Sequence, residues 1–196
     1  RARWSAGGRA DGVLEFHIWG SRRDAIEKPD RIVFDIDPDE GLDFGDVKSA
    51  ALDIRDRLAD LGLKTFAMVT GGKGIHVIAP IVRRAEWPDV KAFASEFAKQ
   101  MAEEEPDRFT ATLSKKARKG KLFIDYLRNE RGSTAIAPYS TRAREGAPVA
   151  VPVTWEEVES LTAANGFSLE AAVERSRDNA WPSYGKLRQS LPKSVR

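Results

Sequence analysis

The chain has 196 residues, of which 41% are hydrophobic, and its formal net charge at pH 7 is +2. This length suits one domain, and this composition supports a buried core. Cysteine is absent, which excludes disulfides, thiolate metal ligands and cysteine nucleophiles and suits a reducing cytoplasm. No run approaches a membrane span or a signal peptide. Because the net charge is small, any nucleic-acid site must come from local patches.

Alternating polarity predicts the strands, and apolar residues at helical spacing predict the helices. In chain order we predict strands over 13–19 and 31–37, a helix over 44–61, strands over 65–70 and 75–80, a helix over 90–101, a strand over 121–126, and helices over 154–165 and 168–177. In the first strand, Leu14, Phe16 and Ile18 are expected on the buried face. The second-last helix opens on a capping box between Thr154 and Glu157.

The order of these elements is mixed and shows no regular βαβ repeat. This favours an α+β fold with a mixed or antiparallel sheet flanked by helices. We expect residues 1–196 to form a single domain. Residues 1–12 and 183–196 are rich in Gly, Arg and polar residues, and both ends are predicted to be loosely ordered.

Two carboxylates at the end of an apolar strand are the most informative feature of the sequence. Strand side chains alternate between faces, so Asp35 and Asp37 share one face of the strand over 31–37. Such neighbours would repel each other and lose hydration unless a cation lay between them. Carboxylate oxygens suit Mg²⁺ or Mn²⁺. A solvated strand end with two surface acids is the alternative.

Asp125 is the natural third ligand, because it occupies the polar position of another apolar strand. Three carboxylates from two strands can hold two divalent ions about 3.5–4 Å apart, the arrangement that clamps attacking and leaving oxygens in phosphoryl transfer. The alternative is a buried acid that pairs with Arg128.

The run from Thr70 to His76, Thr-Gly-Gly-Lys-Gly-Ile-His, is predicted to approach phosphate. Its glycines expose main-chain N–H groups, Lys73 adds a point charge, and His76 can donate a hydrogen bond. The spacing of a Walker A loop is absent. A hairpin turn with a solvated lysine is the alternative.

Further cations surround these motifs. The run over 114–121 contains five, Arg118 among them, and leads into the Asp125 strand, so contact with a triphosphate or a DNA backbone is expected. A solvated charge run is the alternative. Arg142 adds another cation, and His17 shares its strand face with Glu15. Alone, such a histidine is more often structural.

Five motifs occur in one order along the chain: Leu-Glu-Phe-His-Ile-Trp-Gly at 14–20, Val-Phe-Asp-Ile-Asp-Pro at 33–38, Thr-Gly-Gly-Lys-Gly-Ile-His at 70–76, Phe-Ile-Asp-Tyr-Leu-Arg-Asn at 123–129 and Ala-Pro-Tyr-Ser-Thr-Arg at 137–142. From about residue 11 to about residue 182, the set closely resembles the polymerase domain of bacterial ATP-dependent DNA ligase D. That domain is a member of the archaeo-eukaryotic primase superfamily.

The resemblance implies an RRM-like catalytic sheet and a DNA-repair nucleotidyltransferase of the polymerase and primase type. It would add NTPs or dNTPs to a primer 3′-hydroxyl by a two-metal mechanism with Mn²⁺ or Mg²⁺, in gap filling and end extension during non-homologous end joining. The catalytic metal-binding acids are matched by Asp35, Asp37 and Asp125. The nucleotide-binding positions are matched by His17, Thr70, Lys73, His76, Arg118 and Arg142.

The implied partners are primer-template or gapped DNA, a tethered ligase domain and the end-joining Ku protein, with no membrane. The implied location is the bacterial cytoplasm, at the nucleoid. The sequence departs from the family at Thr70, where serine is usual, and the family's N-terminal segment before the His17 strand is expected to be absent. A non-catalytic module that binds nucleotides or DNA ends is the alternative function. A metal-dependent phosphohydrolase that uses the same acids ranks third.

Overall fold

The computed structural model describes residues 13–195. Its strands are β1 His17–Trp19, β2 Ser21–Arg22, β3 Ala25–Pro29, β4 Arg31–Pro38, β5 Phe66–Val69, β6 Ile75–Pro80, β7 Phe109–Thr110, β8 Leu122–Asp125, β9 Thr134–Ile136 and β10 Val151–Val153. Its helices are α1 Phe44–Asp60, α2 Trp87–Glu104, α3 Trp155–Ser160 and α4 Leu169–Arg175, with 3₁₀ turns at Leu127–Asn129 and Tyr184–Lys186.

Six strands form the main sheet in the order β10-β5-β6-β4-β8-β7. Neighbouring strands are antiparallel except β7 and β8, which are parallel. Strands β1 and β9 form a separate two-stranded ribbon, and β2 and β3 form another. The predicted α+β class with a mixed sheet is confirmed.

Strand β4 lies at the centre of the sheet, and its two faces have different partners. Ile32, Phe34 and Ile36 are fully buried in the core that includes side chains of α1 and α2. Burial of side chains of this size stabilises the fold by about 1.5–3 kcal/mol each. Val33 belongs to a smaller apolar cluster on the opposite face, and Asp35 follows on that face. The helices therefore leave the carboxylate face of β4 uncovered.

The two long helices begin at capping boxes. Asp43 and Asp46 cap α1 reciprocally, and the apolar spacing predicted this helix to within one residue. Helix α2 begins at Trp87, earlier than predicted, because Glu86 and Asp89 form the capping box and a proline occupies the first turn. The predicted box of Thr154 and Glu157 opens α3.

Two predicted elements are much shorter in the structure. The first strand begins at His17, and Leu14, expected on a buried face, is 61% exposed. Strand β1 pairs with β9 alone, outside the main sheet. Just before it, Phe16 bonds loop residues: its N–H donates to Ser140 Oγ at 2.7 Å, and its carbonyl accepts from Ala137 N at 2.8 Å. Helix α3 ends at Ser160, well before the predicted stop at 165–166, because Leu161 takes an extended conformation.

The C-terminal segment packs against the sheet. Trp181 and Tyr184 stack on each other and contact Phe66, and the Trp181 indole donates to Ala67 O at 3.1 Å. The Gln189 side chain accepts from Lys64 N and donates to Lys64 O. The loose order that the composition predicts over 183–196 stays a prediction. The predicted loose order over residues 1–12 and at residue 196 falls outside the described residues.

Between residues 13 and 195, no helix has both the length and the apolar character that a membrane crossing requires.

Candidate metal centre and its cleft

Three carboxylates meet where β4 and β8 run side by side. In the antiparallel register Asp35 lies directly opposite Asp125, and Asp37 follows two residues later on the same face. One oxygen from each side chain can be chosen so that all three lie within 4.8 Å of one another. Like charges placed directly across a strand pair destabilise a sheet. The structure thus assembles the predicted acidic triad at a cost to stability.

The charges of the triad are only partly compensated by the protein. Burial, with repulsion from Asp35 and Asp125, raises the pKa of Asp37 to about 6. Burial also raises the pKa of Asp125. The pKa of Asp35 is lowered: burial opposes its charge, but the neighbouring His76 and Arg128 favour that charge more strongly. A divalent cation among the three carboxylates would supply the missing positive charge.

Two basic side chains hold Asp35. His76 lies opposite it on β6, and its Nε2 is 3.3 Å from Asp35 Oδ2. Arg128 Nη2 is 3.2 Å from the same oxygen, and Arg128 Nε is 3.2 Å from Asp125 Oδ2. The pairing of Asp125 with Arg128, which the sequence left as an alternative to the triad, therefore exists together with the triad.

The glycine-rich run forms the hairpin turn between β5 and β6. The Thr70 hydroxyl donates to Gly74 O at 3.0 Å and accepts from Gly72 N at 3.3 Å. At Gly74 a β-carbon would lie 2.4 Å from Ile36 O, so only glycine allows the loop to lie this close to β4. The packed turn leaves Lys73 exposed at the edge of the cleft beside the triad.

Glu15 joins the two outer basic residues of the cleft. Its Oε2 is 2.9 Å from His17 Nε2, and its Oε1 accepts from Arg142 Nε at 3.1 Å and from Ala143 N at 2.8 Å. The bond to His17, then the bonds to Ala143 and Arg142, lower the pKa of Glu15 to about 2. Arg142 also donates to Thr70 O at 2.8 Å, which ties it to the glycine-rich loop. This role of Glu15 was not predicted from the sequence, although its place two residues before His17 was a usable signal.

Arg118 is the member of the basic run that lines the cleft. Its guanidinium carbon lies 3.5 Å from the centre of the Phe123 ring, and its Nε donates to Thr112 O at 3.4 Å. The contact with Phe123, which belongs to β8, holds Arg118 beside the carboxylates. Lys115, Lys116 and Lys119 are exposed, as expected of a solvated charge run.

A cleft of about 580 Å³ brings these groups together. Eight of the nine residues predicted from the sequence line it: His17, Asp35, Asp37, Thr70, Lys73, His76, Arg118 and Arg142. The ninth, Asp125, belongs to the triad with Asp35 and Asp37. Arg128 and Arg144 also line the cleft, and neither was predicted from the sequence as a binding residue. Acids thus face several cations across one cavity.

The residues present fit a divalent metal ion. The triad offers oxygen donors only, which is the donor set that hard cations such as Mg²⁺ and Mn²⁺ prefer. The raised pKa of Asp37 marks a carboxylate whose charge the surrounding protein compensates only in part. The cleft beside it is cationic and polar, which suits a ligand with several negative charges.

The fold and the site together define a class: an α+β domain whose central sheet presents an acidic centre to a cationic cleft. Residues 8–182 match the family model described as LigD, primase-polymerase domain. The chain belongs to this family, and the resemblance recognised from the five motifs is confirmed.

Relatives and a solved structure agree with this assignment. The chain is 41% identical over 189 residues to the multifunctional non-homologous end joining protein LigD of Pseudomonas aeruginosa, covering 94% of the chain and 22% of that protein. It is 31% identical over 173 residues to the bifunctional non-homologous end joining protein LigD of Bacillus subtilis, covering 88% of the chain and 28% of that protein.

The polymerase domain of Mycobacterium tuberculosis Ligase D, solved in complex with DNA, superposes with a TM-score of 0.80 at 31% identity. The match covers 91% of this chain and 65% of that chain. The chain therefore spans less than a third of the two curated relatives and about two thirds of the solved domain.

Proposed function

We propose that this chain is a nucleotidyltransferase that adds NTPs or dNTPs to the 3′-hydroxyl of a DNA primer in non-homologous end joining. The observation that carries the proposal is the acidic triad facing a cationic cleft within one cavity. Family membership supports the polymerase assignment, and the names of the relatives support the role in end joining.

Asp35, Asp37 and Asp125 would hold the divalent ions. Bound at such a site, Mg²⁺ or Mn²⁺ lowers the pKa of an attacking hydroxyl and neutralises charge that develops on the phosphates. His76 would orient Asp35 from the neighbouring strand β6, since its Nε2 lies 3.3 Å from the carboxylate. It is therefore a positioning residue as well as part of the cleft wall.

The cations of the cleft would bind the triphosphate. Lys73 offers an exposed point charge, while Arg118 and Arg142 are held in place by Phe123 and Glu15. Fixed guanidinium groups suit phosphate oxygens because they donate several hydrogen bonds in one plane. His17, fixed by Glu15, adds a further donor at the same rim.

In the proposed reaction the primer 3′-oxygen attacks the α-phosphorus of the nucleotide. A new P–O bond forms, the bond from the α-phosphorus to the bridging oxygen breaks, and pyrophosphate leaves with the electron pair. The proton of the 3′-hydroxyl passes to solvent. The residues of this chain position the triphosphate and compensate charge on the leaving pyrophosphate, which is how protein groups accelerate phosphoryl transfer.

We further propose that the DNA partner is a gapped or primer-template duplex, that a ligase domain is tethered in the full-length protein, and that Ku is an end-joining partner. The M. tuberculosis domain in complex with DNA supports the first, and the multifunctional relatives support the second.

The test is primer extension on a gapped duplex with a downstream 5′-phosphate, with Mn²⁺ and labelled ATP. We expect extension by the unaltered protein and a loss of at least about a hundredfold in Asp37→Ala. Asp107→Ala, which removes a carboxylate from an exposed turn, serves as the matched control and should retain activity.

Extension that persists in Asp37→Ala would contradict the assignment of the triad. Metal-dependent nucleotide binding without extension by the unaltered protein would favour the non-catalytic binding module. Release of phosphate from nucleotides without a primer would favour the phosphohydrolase.

A further inference from the structure

Arg128 bridges two of the three carboxylates of the triad. Its Nη2 lies 3.2 Å from Asp35 Oδ2 on β4, and its Nε lies 3.2 Å from Asp125 Oδ2 on β8. One guanidinium thus contacts a carboxylate on each of two neighbouring strands. Both carboxylates belong to the triad whose oxygens converge within 4.8 Å. A divalent ion held by the triad would compete with Arg128 for these two carboxylates.

The main chain that carries Arg128 is anchored at this place. Arg128 is the middle residue of the 3₁₀ turn Leu127–Asn129, which follows β8 directly. Leu127 N donates to Asp125 Oδ1 at 2.8 Å, and the buried Asn129 side chain bonds both main-chain groups of Val33 on β4. The start of the Arg128 side chain is therefore fixed relative to the triad.

The end of the Arg128 side chain is less firmly held. The Nε–Asp125 pair has the distance of an ion pair but lacks hydrogen-bond alignment, and no residue between 13 and 195 hydrogen-bonds to this Nε. Arg128 Nη1 reaches Thr134 O only at 3.5 Å, the side chain is 37% exposed, and it lines the cleft. A long, charged side chain with these contacts can turn toward the cleft without moving the turn that carries it.

We propose that Arg128 is a resident counter-cation: it neutralises Asp35 and Asp125 while no divalent ion is bound, and it must leave them when one binds. Metal binding and release of Arg128 into the cleft are then coupled events. Arg128 then has two states, one paired with the carboxylates and one turned into the cleft, and the metal binds only to the second. Because binding must first displace Arg128, this residue weakens the affinity of the triad for the metal. The inference rests on the metal site of the proposed function.

The experiment measures the affinity of Mn²⁺ alone, without nucleotide or DNA, by titration calorimetry and by the EPR signal of free Mn²⁺. Arg128→Gln should bind Mn²⁺ at least about tenfold more tightly than the unaltered protein, since a competing charge in direct contact has been removed. The matched control is Arg118→Gln, which removes a cation that acts on Asp37 and Asp125 through space without an ion pair to either. Its affinity should change by less than about threefold.

A second variant and a second measurement protect the test against misfolding. Arg128→Lys keeps the charge but replaces the planar guanidinium by a point donor. Its affinity for Mn²⁺ should therefore lie between those of the unaltered protein and Arg128→Gln. In thermal unfolding with EDTA, Arg128→Gln should melt at a lower temperature than the unaltered protein. Added Mn²⁺ should raise the melting temperature of this variant by more than that of the unaltered protein.

The outcomes separate this inference from the proposed function. If the unaltered protein binds no Mn²⁺, the metal site fails, and the proposed mechanism fails with it. If it binds Mn²⁺ but Arg128→Gln binds equally or more weakly, the counter-cation role alone is overturned. Equal tightening in Arg128→Gln and Arg118→Gln would also overturn it, because the effect would then be general electrostatics.

Discussion

The side chain of Asn129 bonds the main chain of Val33 as a neighbouring strand would. Its Nδ2 donates to Val33 O at 2.7 Å, and its Oδ1 accepts from Val33 N at 2.8 Å. Strand β8 pairs with β4 only from Asp35 to Pro38, so the amide of Asn129 continues the pairing where β8 has already turned away. The same contact fixes the turn that places Arg128 beside the triad.

Replacing Asn129 by alanine should destabilise the fold by about 2–4 kcal/mol, because buried Val33 groups lose their partners. Asn129 is 2% exposed and also donates to Tyr126 O at 2.8 Å. Urea unfolding measures the change. Asn179→Ala, at an exposed site, is the control and should cost less than about 1 kcal/mol. If Asn129→Ala also costs less than about 1 kcal/mol, water replaces the side-chain amide as the partner of Val33.

Asp37 should make the metal-free protein less stable as the pH rises. Its pKa is raised from 3.8 to about 6 in the folded protein, so the folded state holds a proton that the unfolded chain has lost. A raised pKa contributes stability below the unfolded value, and this stability is lost as the pH passes the folded value. We therefore expect the decline to be centred between about pH 4 and pH 6.

The Asp37→Asn variant tests this expectation. In EDTA at about pH 7.5 it should be more stable than the unaltered protein by on the order of 1–3 kcal/mol, and the difference should vanish near pH 4. Unfolding free energies from denaturant titrations at both pH values measure the effect. Equal stability of the two proteins at both pH values would show that ionisation of Asp37 does not lower the free energy of unfolding.

Gly74→Ala should distort the loop and lower activity. The added β-carbon would lie 2.4 Å from Ile36 O. This main-chain oxygen belongs to β4, which is held by pairing with β6 on one side and β8 on the other. We expect a stability loss of about 1–3 kcal/mol and a raised KM for the nucleotide, because Lys73 is displaced. Gly185→Ala, where the added carbon meets open space, is the matched control. Unchanged KM and stability in Gly74→Ala would mean that the loop can relax at no cost.

Glu15→Gln should weaken nucleotide binding without unfolding the protein. Glutamine keeps the shape of Glu15 but loses the charge that holds His17 and Arg142, and we expect affinity to fall about three- to tenfold. The pKa of Glu15 is lowered from 4.5 to about 2, so its interactions are fully present above about pH 4.5 and are lost as the pH falls through about 2. The effect of the substitution should therefore be complete at neutral pH.

Fluorescent-nucleotide titration of the Glu15→Gln variant is the measurement. Glu27→Gln, which removes an equivalent charge from an exposed pair with Arg131, is the control and should bind nucleotide normally. If both variants bind as the unaltered protein does, Glu15 positions neither basic residue.

Local patterns in the sequence predicted much of the site. Period-two alternation placed Asp35 and Asp37 on one face of a strand, and this follows from strand geometry alone. The glycines predicted the turn over 70–76, and the capping box predicted the helix start at Thr154, because turns and helix starts depend on neighbours a few residues away. Motif order then supplied the family, which the family match confirms.

Contacts between distant segments could not be read in the same way. The sequence did not show that Asp125 would lie opposite Asp35, that Arg128 would bridge both, or that Glu15 would reach Arg142 across 127 positions. Nor did it show that β1 would be short or that Trp181 would dock on the sheet.

The sequence by itself determined which faces and turns carry the carboxylates, the glycines and the cations, because these depend on the repeat of the backbone over a few residues. Only the tertiary structure decided how they meet. Strand order and register are set by the summed packing of segments far apart in the chain, and a shift of one residue in β8 would turn Asp125 to the other face.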